Sequence, residues 1–331
     1  MSELHKFLFD GLPVRGVLVR LTDAWTEILQ RRASNSLTGA YAPEVRDMLG
    51  EMTAAAALMQ ANIKFDGSLV LQIFGDGPVK VAVVEVQSDL ALRATATATV
   101  QPAVETGATL SQMVNVRNLG RCAITLDPKT KFPGQQPYQG VVPLFDDHGH
   151  PIEKLSAVLE HYMLQSEQLD TTLVLAADDK VAAGLLIQRL PMAGAGNLAG
   201  SMVSKENEDQ IGLNENYNRI AVLASSLKRD ELLTLDVETI LRRLFWEESI
   251  TRFEPLIGET APRFACNCSR ERVGRMIAGL GREEAEEIIA ERGDIEVGCE
   301  FCGLQYRFDP IDAAQLFVDA VQVISPGTEP Q

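Results

Sequence analysis

Apolar side chains recur every three or four positions in three stretches of the first 190 residues, which is the spacing of amphipathic helices. The first of these helices is predicted to be capped by Thr22 or Asp23 and to run through Leu29. Two more helices are predicted over residues 43–63 and 151–165. The stretch from 43 to 63 carries the longest of the three patterns, with methionine, leucine and alanine on its apolar side.

Runs of aliphatic and β-branched residues between these helices predict strands. The predicted strands cover residues 68–74, 79–86, 91–100, 121–126, 139–145, 171–176 and 181–190. Two pairs of strands flank the short turns Gly75-Asp76-Gly77-Pro78 and Ala177-Asp178-Asp179-Lys180, which predicts two hairpins. Strands and helices alternate without a regular βαβ rhythm. The expected fold class is therefore α+β, with residues 1–190 as a mixed α/β core domain.

Residues 191–253 are predicted to form a linker that is first flexible and then helical. The part from 192 to 210 is rich in glycine and alanine and then in charged residues, a composition typical of a connector. Helical spacing returns at Ile220, and amphipathic patterns continue to Trp246. These apolar stripes must be buried against another surface. They are either ordinary core helices or helices that a C-terminal unit covers when it docks beside them.

Residues 254–331 form a small third unit with clear helix signals. Ser269 is predicted to cap a helix that Gly281 ends, and a second helix stops at Gly293. A short hairpin and a last helix follow. The unit has few large apolar residues for its length. It therefore needs another source of folding free energy.

Composition and charge narrow the class of protein. A chain of 331 residues suggests two domains, and 46% hydrophobic with 23% charged residues is typical of a folded soluble protein. The net charge of −16 disfavours binding to nucleic acid or to anionic lipid, because both partners are themselves negatively charged. Residues 1–6 start no secretory signal, and no run reaches the roughly 18 apolar residues of a membrane helix. We expect a cytoplasmic protein with reduced thiols.

Four of the five cysteines lie in two tight pairs, Cys266-Asn267-Cys268 and Cys299-Glu300-Phe301-Cys302, separated by 30 residues. Four sulfurs on two short turns suit one tetrahedral zinc ion, although the same sulfurs could pair within each turn as two disulfides. The first pair precedes a helix, and the helix dipole with Arg270 and Arg272 is expected to favour thiolate. A four-sulfur zinc site would contribute on the order of 10–16 kcal/mol to folding of this unit. We hypothesise that oxidation releases zinc and unfolds the unit.

Other reactive residues have simpler interpretations. Cys122 stands alone in a predicted strand and is expected to be a small buried residue outside the switch. His148 and His150 are expected to lie in a solvated loop. The segment from Gly75 to Pro78 lacks the lysine and Ser/Thr of a phosphate-binding loop. No arrangement of serine, histidine and aspartate or of paired carboxylates indicates hydrolysis, so we predict that the protein is not an enzyme.

Both cysteine motifs resemble those of the heat shock protein 33 family, the bacterial redox-regulated chaperonin of 33 kDa. The resemblance covers nearly the whole chain and includes several motifs outside the cysteines. They are Lys64-Phe65-Asp66-Gly67, Gly75-Asp76-Gly77-Pro78, Tyr138-Gln139-Gly140-Val141-Val142, Ser166-Glu167-Gln168-Leu169 and Asp230-Glu231-Leu232-Leu233-Thr234-Leu235. The linker, with its insert at 192–210, is somewhat longer than expected for the family.

The resemblance implies an ATP-independent holdase that is inactive when reduced and zinc-bound. It implies that Cys266, Cys268, Cys299 and Cys302 bind one zinc ion. Oxidation then forms the disulfides Cys266–Cys268 and Cys299–Cys302, zinc is released, and the linker unfolds. The oxidised protein, usually a homodimer, binds unfolding client proteins under oxidative stress and later hands them to refolding chaperones.

Two other functions fit the cysteines. A thiol–disulfide oxidoreductase could use Cys299-x-x-Cys302, although such motifs usually open a helix in a βαβ setting. A constitutive zinc-stabilised scaffold would bind its partners equally well with and without oxidant.

Overall fold

A computed structural model of the chain describes residues 1–35, 38–101, 103–132, 134–190 and 214–322, with side chains to residue 317 in the last range. The predicted linker insert at 192–210 lies outside the described residues.

Helices and strands alternate irregularly along the described residues. The strands are β1 (Glu3–Phe9), β2 (Val14–Leu21), β3 (Gly67–Phe74), β4 (Val79–Gln87), β5 (Ala91–Ala98), β6 (Arg121–Pro128), β7 (Tyr138–Pro143), β8 (Thr171–Ala177), β9 (Ala182–Arg189), β10 (Ile250–Arg252), β11 (Arg263–Phe264), β12 (Ile295–Gly298) and β13 (Gln305–Phe308). The helices are α1 (Asp23–Ser34), α2 (Pro43–Asn62), α3 (Leu110–Val114), α4 (Leu155–Glu167), α5 (Glu215–Ser225), α6 (Arg229–Thr234), α7 (Val237–Phe245), α8 (Arg270–Leu280), α9 (Arg282–Arg292) and α10 (Pro310–Gln322). The predicted α+β fold class is confirmed.

The strands form two large sheets and one small hairpin. A five-stranded antiparallel sheet has the order β10-β1-β2-β9-β8. A six-stranded sheet has the order β11-β5-β4-β3-β6-β7 and is antiparallel except for the pairing of β11 with β5. Strands β12 and β13 pair only with each other. Both predicted hairpins are present, at β3–β4 and at β8–β9.

Helix α2 lies between the two large sheets and contacts strands of both. Pro43 occupies the first helical position. Proline has no backbone N–H that would lack a partner there, and its ring fixes φ near the helical value. Thirteen of its residues are buried, and alanines dominate its second half, because small side chains let both sheets approach the helix axis. At Gly50 a Cβ atom would lie 2.4 Å from Cβ of Ala177, so glycine allows the close contact with β8. The predicted helix over 43–63 is confirmed.

The linker helices α5, α6 and α7 pack on the other face of the five-stranded sheet. Strand residues alternate between faces, so that Val17 and Val19 point to α2 while Leu18 points to the linker. The linker contributes buried residues that include Ile220, Leu232, Ile240, Leu244 and Phe245. The expectation that the C-terminal unit covers these stripes is therefore wrong, because the sheet already buries them. The alternative, ordinary core helices, describes their packing better.

Arg20 of β2 holds the linker from the sheet side. Its guanidinium donates to the carbonyl oxygens of Leu232 and Leu235 at 2.7 Å each and to that of Leu233 at 3.2 Å. These carbonyls end helix α6 and have no partner within it. One side chain of the core thus caps a linker helix and fixes its position on the sheet.

The C-terminal unit contains α8, α9, the β12–β13 hairpin and α10 around a small core. That core consists of Ile277, Ala285, Ile295, Phe308 and Ala313. Gly281 and Gly293 have positive φ values of 100° and 87° and end the helices at the predicted positions. The described part of this unit therefore has little apolar burial of its own.

Several elements differ from the prediction. Strands β1, β2, β10 and β11 and the short helix α3 were not predicted. Helix α4 begins at Leu155 rather than at 151, because Pro151 still pairs with Phe145 in an extended chain. Strand β10 pairs with β1 and strand β11 with β5, so residues from the predicted linker and C-terminal unit extend both core sheets. The domain boundaries at 190 and 253 stay a prediction.

Candidate metal centre

The four paired cysteines converge on one point beside the core. Cys266 and Cys268 follow β11, whereas Cys299 and Cys302 lie in the turn that joins β12 to β13. All four Sγ atoms lie within 4.8 Å of one another. The Sγ–Sγ distance is 3.7 Å between Cys266 and Cys299 and 3.3 Å between Cys268 and Cys302. Zinc at about 2.3 Å from four tetrahedral sulfurs would hold them roughly 3.8 Å apart. The site is therefore compatible with one zinc ion.

The first turn is fixed by the start of helix α8. The Ser269 hydroxyl accepts the N–H of Arg272 at 3.2 Å, which confirms the predicted cap. The two arginines expected to favour thiolate bond to oxygen atoms instead. Arg272 donates to the carbonyl of Asn267 at 2.9 Å, and Arg270 donates to the Asp312 carboxylate at 2.6 Å. Direct hydrogen bonds to the sulfurs come from other residues.

The second turn has the form of a knuckle. The N–H of Gly303 donates to the carbonyl of Cys299, and the N–H of Cys299 donates to the carbonyl of Leu304, both at 2.8 Å. Gly303 has a φ of 73°, a conformation that side chains rarely adopt. The Cys-x-x-Cys motif thus joins two strands and does not open a helix. This is the setting of a metal knuckle rather than that of a thioredoxin-like oxidoreductase.

Three of the four thiols have shifted pKa values. Burial opposes ionisation of Cys268, but hydrogen bonds from the Tyr306 hydroxyl, at 3.1 Å, and from the neighbouring thiols lower its pKa to about 7. Burial raises the pKa of Cys299 and, more strongly, that of Cys302. Cys268 therefore ionises before Cys299 and Cys302. Metal binding must displace the protons that Cys299 and Cys302 retain near neutral pH.

Two functional contacts were missed from the sequence. Tyr306 reaches Cys268 from β13, and Arg93 reaches Cys266 from β5 with 3.8 Å between Nη1 and Sγ. Tyr306 carries no sequence signal, because aromatic residues are common in strands. Arg93 is the single charged residue in a strand of small and apolar residues, which is the signal that could have identified it.

The remaining candidates lie elsewhere. Cys122 is fully buried in β6, as predicted, and burial raises its pKa to about 12. His148 and His150 are exposed, and their backbone N–H groups donate to Asp146 within a loop. Within the part of the chain that the structure describes, the four cysteines are the only group of metal-ligating side chains so closely placed. Gly75 to Pro78 is a turn, as predicted.

A search of the described helices finds none that is both long and apolar enough to cross a membrane.

Comparisons with known proteins agree with the motifs. The family model described as Hsp33 protein matches residues 2–309. A 33 kDa chaperonin of Chromobacterium violaceum is 42% identical over 316 residues, which cover 96% of this chain and 94% of the relative. A 33 kDa chaperonin of Methylobacillus flagellatus is 38% identical over 329 residues, which cover 99% of this chain and 98% of the relative.

A solved structure shows the same fold. The crystal structure of the 33 kDa chaperonin of Thermotoga maritima aligns with a TM-score of 0.69 at 20% identity and covers 97% of this chain and 99% of its own. The sequence matches span both cysteine motifs and the core. The chain therefore belongs to the Hsp33 family.

Proposed function

We propose that this protein is a redox-regulated, ATP-independent holdase of the cytoplasm. The observation that carries the proposal is the convergence of four thiols in a unit with only a small core. In the reduced state, Cys266, Cys268, Cys299 and Cys302 bind one zinc ion and the chaperone is inactive. Oxidants convert them into the disulfides Cys266–Cys268 and Cys299–Cys302. Formation of each disulfide releases two electrons and two protons from its thiol pair to one molecule of peroxide, which is reduced to two molecules of water.

Loss of the metal unfolds the C-terminal unit because little else holds it. Among the described residues, the hydrophobic cluster of this unit has five buried members, compared with two much larger clusters in the rest of the chain. The zinc site contributes on the order of 10–16 kcal/mol to folding of such a unit. The two intraturn disulfides close loops of only three and four residues and do not join the two turns. They therefore cannot replace the metal.

Unfolding of the C-terminal unit then spreads to the linker through the segment that joins the two. Strands β10 and β11 connect α7 to Cys266, and each is only two or three residues long. When α5, α6 and α7 leave the five-stranded sheet, they uncover their own apolar faces and that of the sheet, including Phe7, Phe9 and Leu18. These surfaces bind unfolded client proteins. The oxidised protein acts as a homodimer and transfers clients to refolding chaperones.

Aggregation assays test the switch directly. A thermally unfolding client is mixed with reduced, zinc-loaded protein or with peroxide-oxidised protein, and light scattering is followed together with zinc release to a chromogenic chelator. We expect strong suppression of aggregation only after oxidation, with about one zinc released per chain. Equal suppression by both forms would support a constitutive scaffold. Steady reduction of insulin disulfides would support the oxidoreductase.

A further inference from the structure

Arg93 connects the core to the metal centre. It lies on β5 of the six-stranded sheet, and its side chain is only 18% exposed. Its Nη1 lies 3.8 Å from Sγ of Cys266, and its guanidinium lies 4.3 Å from the ring centroid of Phe301, between the two cysteines of the second turn. One core side chain thus touches both cysteine turns.

Glu85 fixes the direction in which Arg93 points. The two residues face each other across β4 and β5. The carboxylate of Glu85 accepts Nε of Arg93 at 2.9 Å and Nη2 at 2.5 Å. Because this pair holds two of its nitrogens, the guanidinium cannot turn to solvent, and Nη1 faces the sulfur. A planar, always charged group held in this way is suited to detect a negative charge at a set distance.

The charge of the metal centre depends on its oxidation state. Four thiolates around one divalent ion carry a net charge of −2, whereas two disulfides without metal are neutral. A guanidinium beside a partly buried dianion gains a charge-assisted interaction that a neutral disulfide does not offer. Oxidation therefore removes the negative charge on sulfur beside Arg93 even before the C-terminal unit unfolds, whereas the pair with Glu85 remains.

A second arginine faces the same turn. Nη1 of Arg32, at the end of α1, lies 3.9 Å from the Glu300 carboxylate, and neither group of this ion pair is itself redox-active. The position at Gly303 is also close to α1, where the carbonyl of Arg31 would lie 3.5 Å from an added Cβ. These contacts place the knuckle on the core, and of the two core arginines that face it, Arg93 is the one that contacts a sulfur.

We propose that Arg93 is a positioning residue through which the core senses the oxidation state of the four sulfurs. It docks the C-terminal unit while the sulfurs bind metal and releases the unit when they form disulfides. This inference rests on the proposed redox switch, because it assigns to the core a direct part in that switch.

Hydrogen exchange on full-length, reduced, zinc-loaded protein tests the docking. Strand β11 reports it, because the N–H groups of Arg263 and Ala265 donate to the carbonyls of Leu90 and Leu92 at 3.2 and 3.0 Å. We expect these two amides to exchange about tenfold faster or more in Arg93→Gln. Amides inside α8, such as that of Val273, should keep their wild-type rate.

The matched control removes the same charge at a distance from the core. Arg275 is exposed on α8 and pairs with Glu271 on the same helix, so Arg275→Gln should leave β11 exchange unchanged. Zinc transfer to a chelator without oxidant gives a second readout, and it should be faster in Arg93→Gln only. Equal β11 exchange in Arg93→Gln and Arg275→Gln would overturn the proposal.

Arg93→Lys separates charge from packing and guards against a misfolded variant. It keeps the cation but lacks the fork that Glu85 and Phe301 hold, so its exchange should fall between wild type and Arg93→Gln. If Arg93→Lys equals Arg93→Gln, charge is not the cause and the proposal fails. These measurements use no oxidant. If the wild-type protein gains no activity on oxidation, the proposed switch is refuted. The exchange rates would still decide whether Arg93 docks the C-terminal unit.

Discussion

Glu51 is a partly buried acidic side chain at the contact between the core and the linker. It lies on α2, and burial raises its pKa to about 7, although Arg229 of α6 lowers it and the adjacent Asp47 raises it further. Arg229 pairs with Asp47 at 2.8 Å rather than with Glu51. The carboxyl lines a cavity of about 750 Å³ whose other acidic residues are Glu44, Asp47, Glu153 and Glu160. The carboxylate is thus held where its charge is poorly compensated.

Replacing Glu51 should stabilise the protein in a pH-dependent way. Its folded pKa, about 7, exceeds the ordinary value of 4.5, so the folded state binds the proton more tightly. Stability therefore falls as pH rises from about 4.5 to 7, and the full penalty is present above pH 7. We expect Glu51→Gln to raise the free energy of unfolding by about 1–3 kcal/mol at pH 8 and by little at pH 4.5.

Urea unfolding at pH 4.5 and pH 8 measures this difference. Glu105→Gln makes the same charge change at an exposed position and serves as the control. A gain in Glu51→Gln that is the same at both pH values would contradict the assigned pKa and would leave packing as the cause.

At the scale of elements, local signals predicted the helices and long hairpins, while long-range pairing was missed. Pro43 marks a helix start through its backbone and Ser269 marks one through its side-chain hydroxyl, and both signals can be recognised from neighbouring residues alone. Strand β11 has two residues and is defined by its bonds to β5, about 170 positions earlier. No local pattern can indicate such a partner. The apolar stripes of the linker helices likewise predicted that these helices are buried. The sheet that buries them could not be identified from the sequence, because strands β1 and β2 were not recognised.

The candidate site divides in the same way. The spacing of the cysteines predicted all four members of the cluster, since two short turns with paired sulfurs have few other uses. Tyr306 and Arg93 were missed because their contacts with sulfur depend on how β13 and β5 are placed. The sequence therefore led us to assign stabilisation of the thiolates to Arg270 and Arg272, which are the nearest arginines along the chain.

Two adjacent aromatic residues at the end of α7 allow a sharp test of linker docking. Phe245 is 2% exposed, with its ring centroid 5.0 Å from that of Phe9 and 6.2 Å from that of Phe7. Trp246 is 74% exposed. We expect Phe245→Ala to cost about 3–5 kcal/mol of packing free energy and to loosen the linker in the reduced protein.

Hydrogen exchange over residues 215–245 and binding of an apolar dye measure this loosening without oxidant. Phe245→Ala should exchange faster and bind more dye, whereas Trp246→Ala should behave as wild type. If both variants retain wild-type protection, the packing of α7 on the sheet does not hold the linker.

At the scale of the whole molecule, apolar burial is distributed very unevenly. The two larger hydrophobic clusters share the five-stranded sheet, one on each face, and support each other through it. The third cluster belongs to the C-terminal unit alone and contains no residue of the other two. Local stability follows local burial, so the C-terminal unit should open first and the α2 core last. A metal that supports the weakest part can therefore control the order of opening.

Removing the metal should unfold the C-terminal unit and leave the core folded, without any oxidation. The thiols stay reduced in this experiment, so disulfide formation cannot contribute and the metal alone is tested. With a strong zinc chelator and excess reductant, we expect residues 270–317 to lose hydrogen-exchange protection first and the linker helices to lose theirs next, while α2 and β3 keep theirs.

Cys302→Ser should show the same loss without chelator, because three thiolates hold zinc less well than four. Cys122→Ala should retain both zinc and protection, since Cys122 lies in the core away from the cluster. If residues 270–317 remain protected after zinc has been removed, their small core is sufficient for folding. Release of metal would then not be the event that opens the molecule.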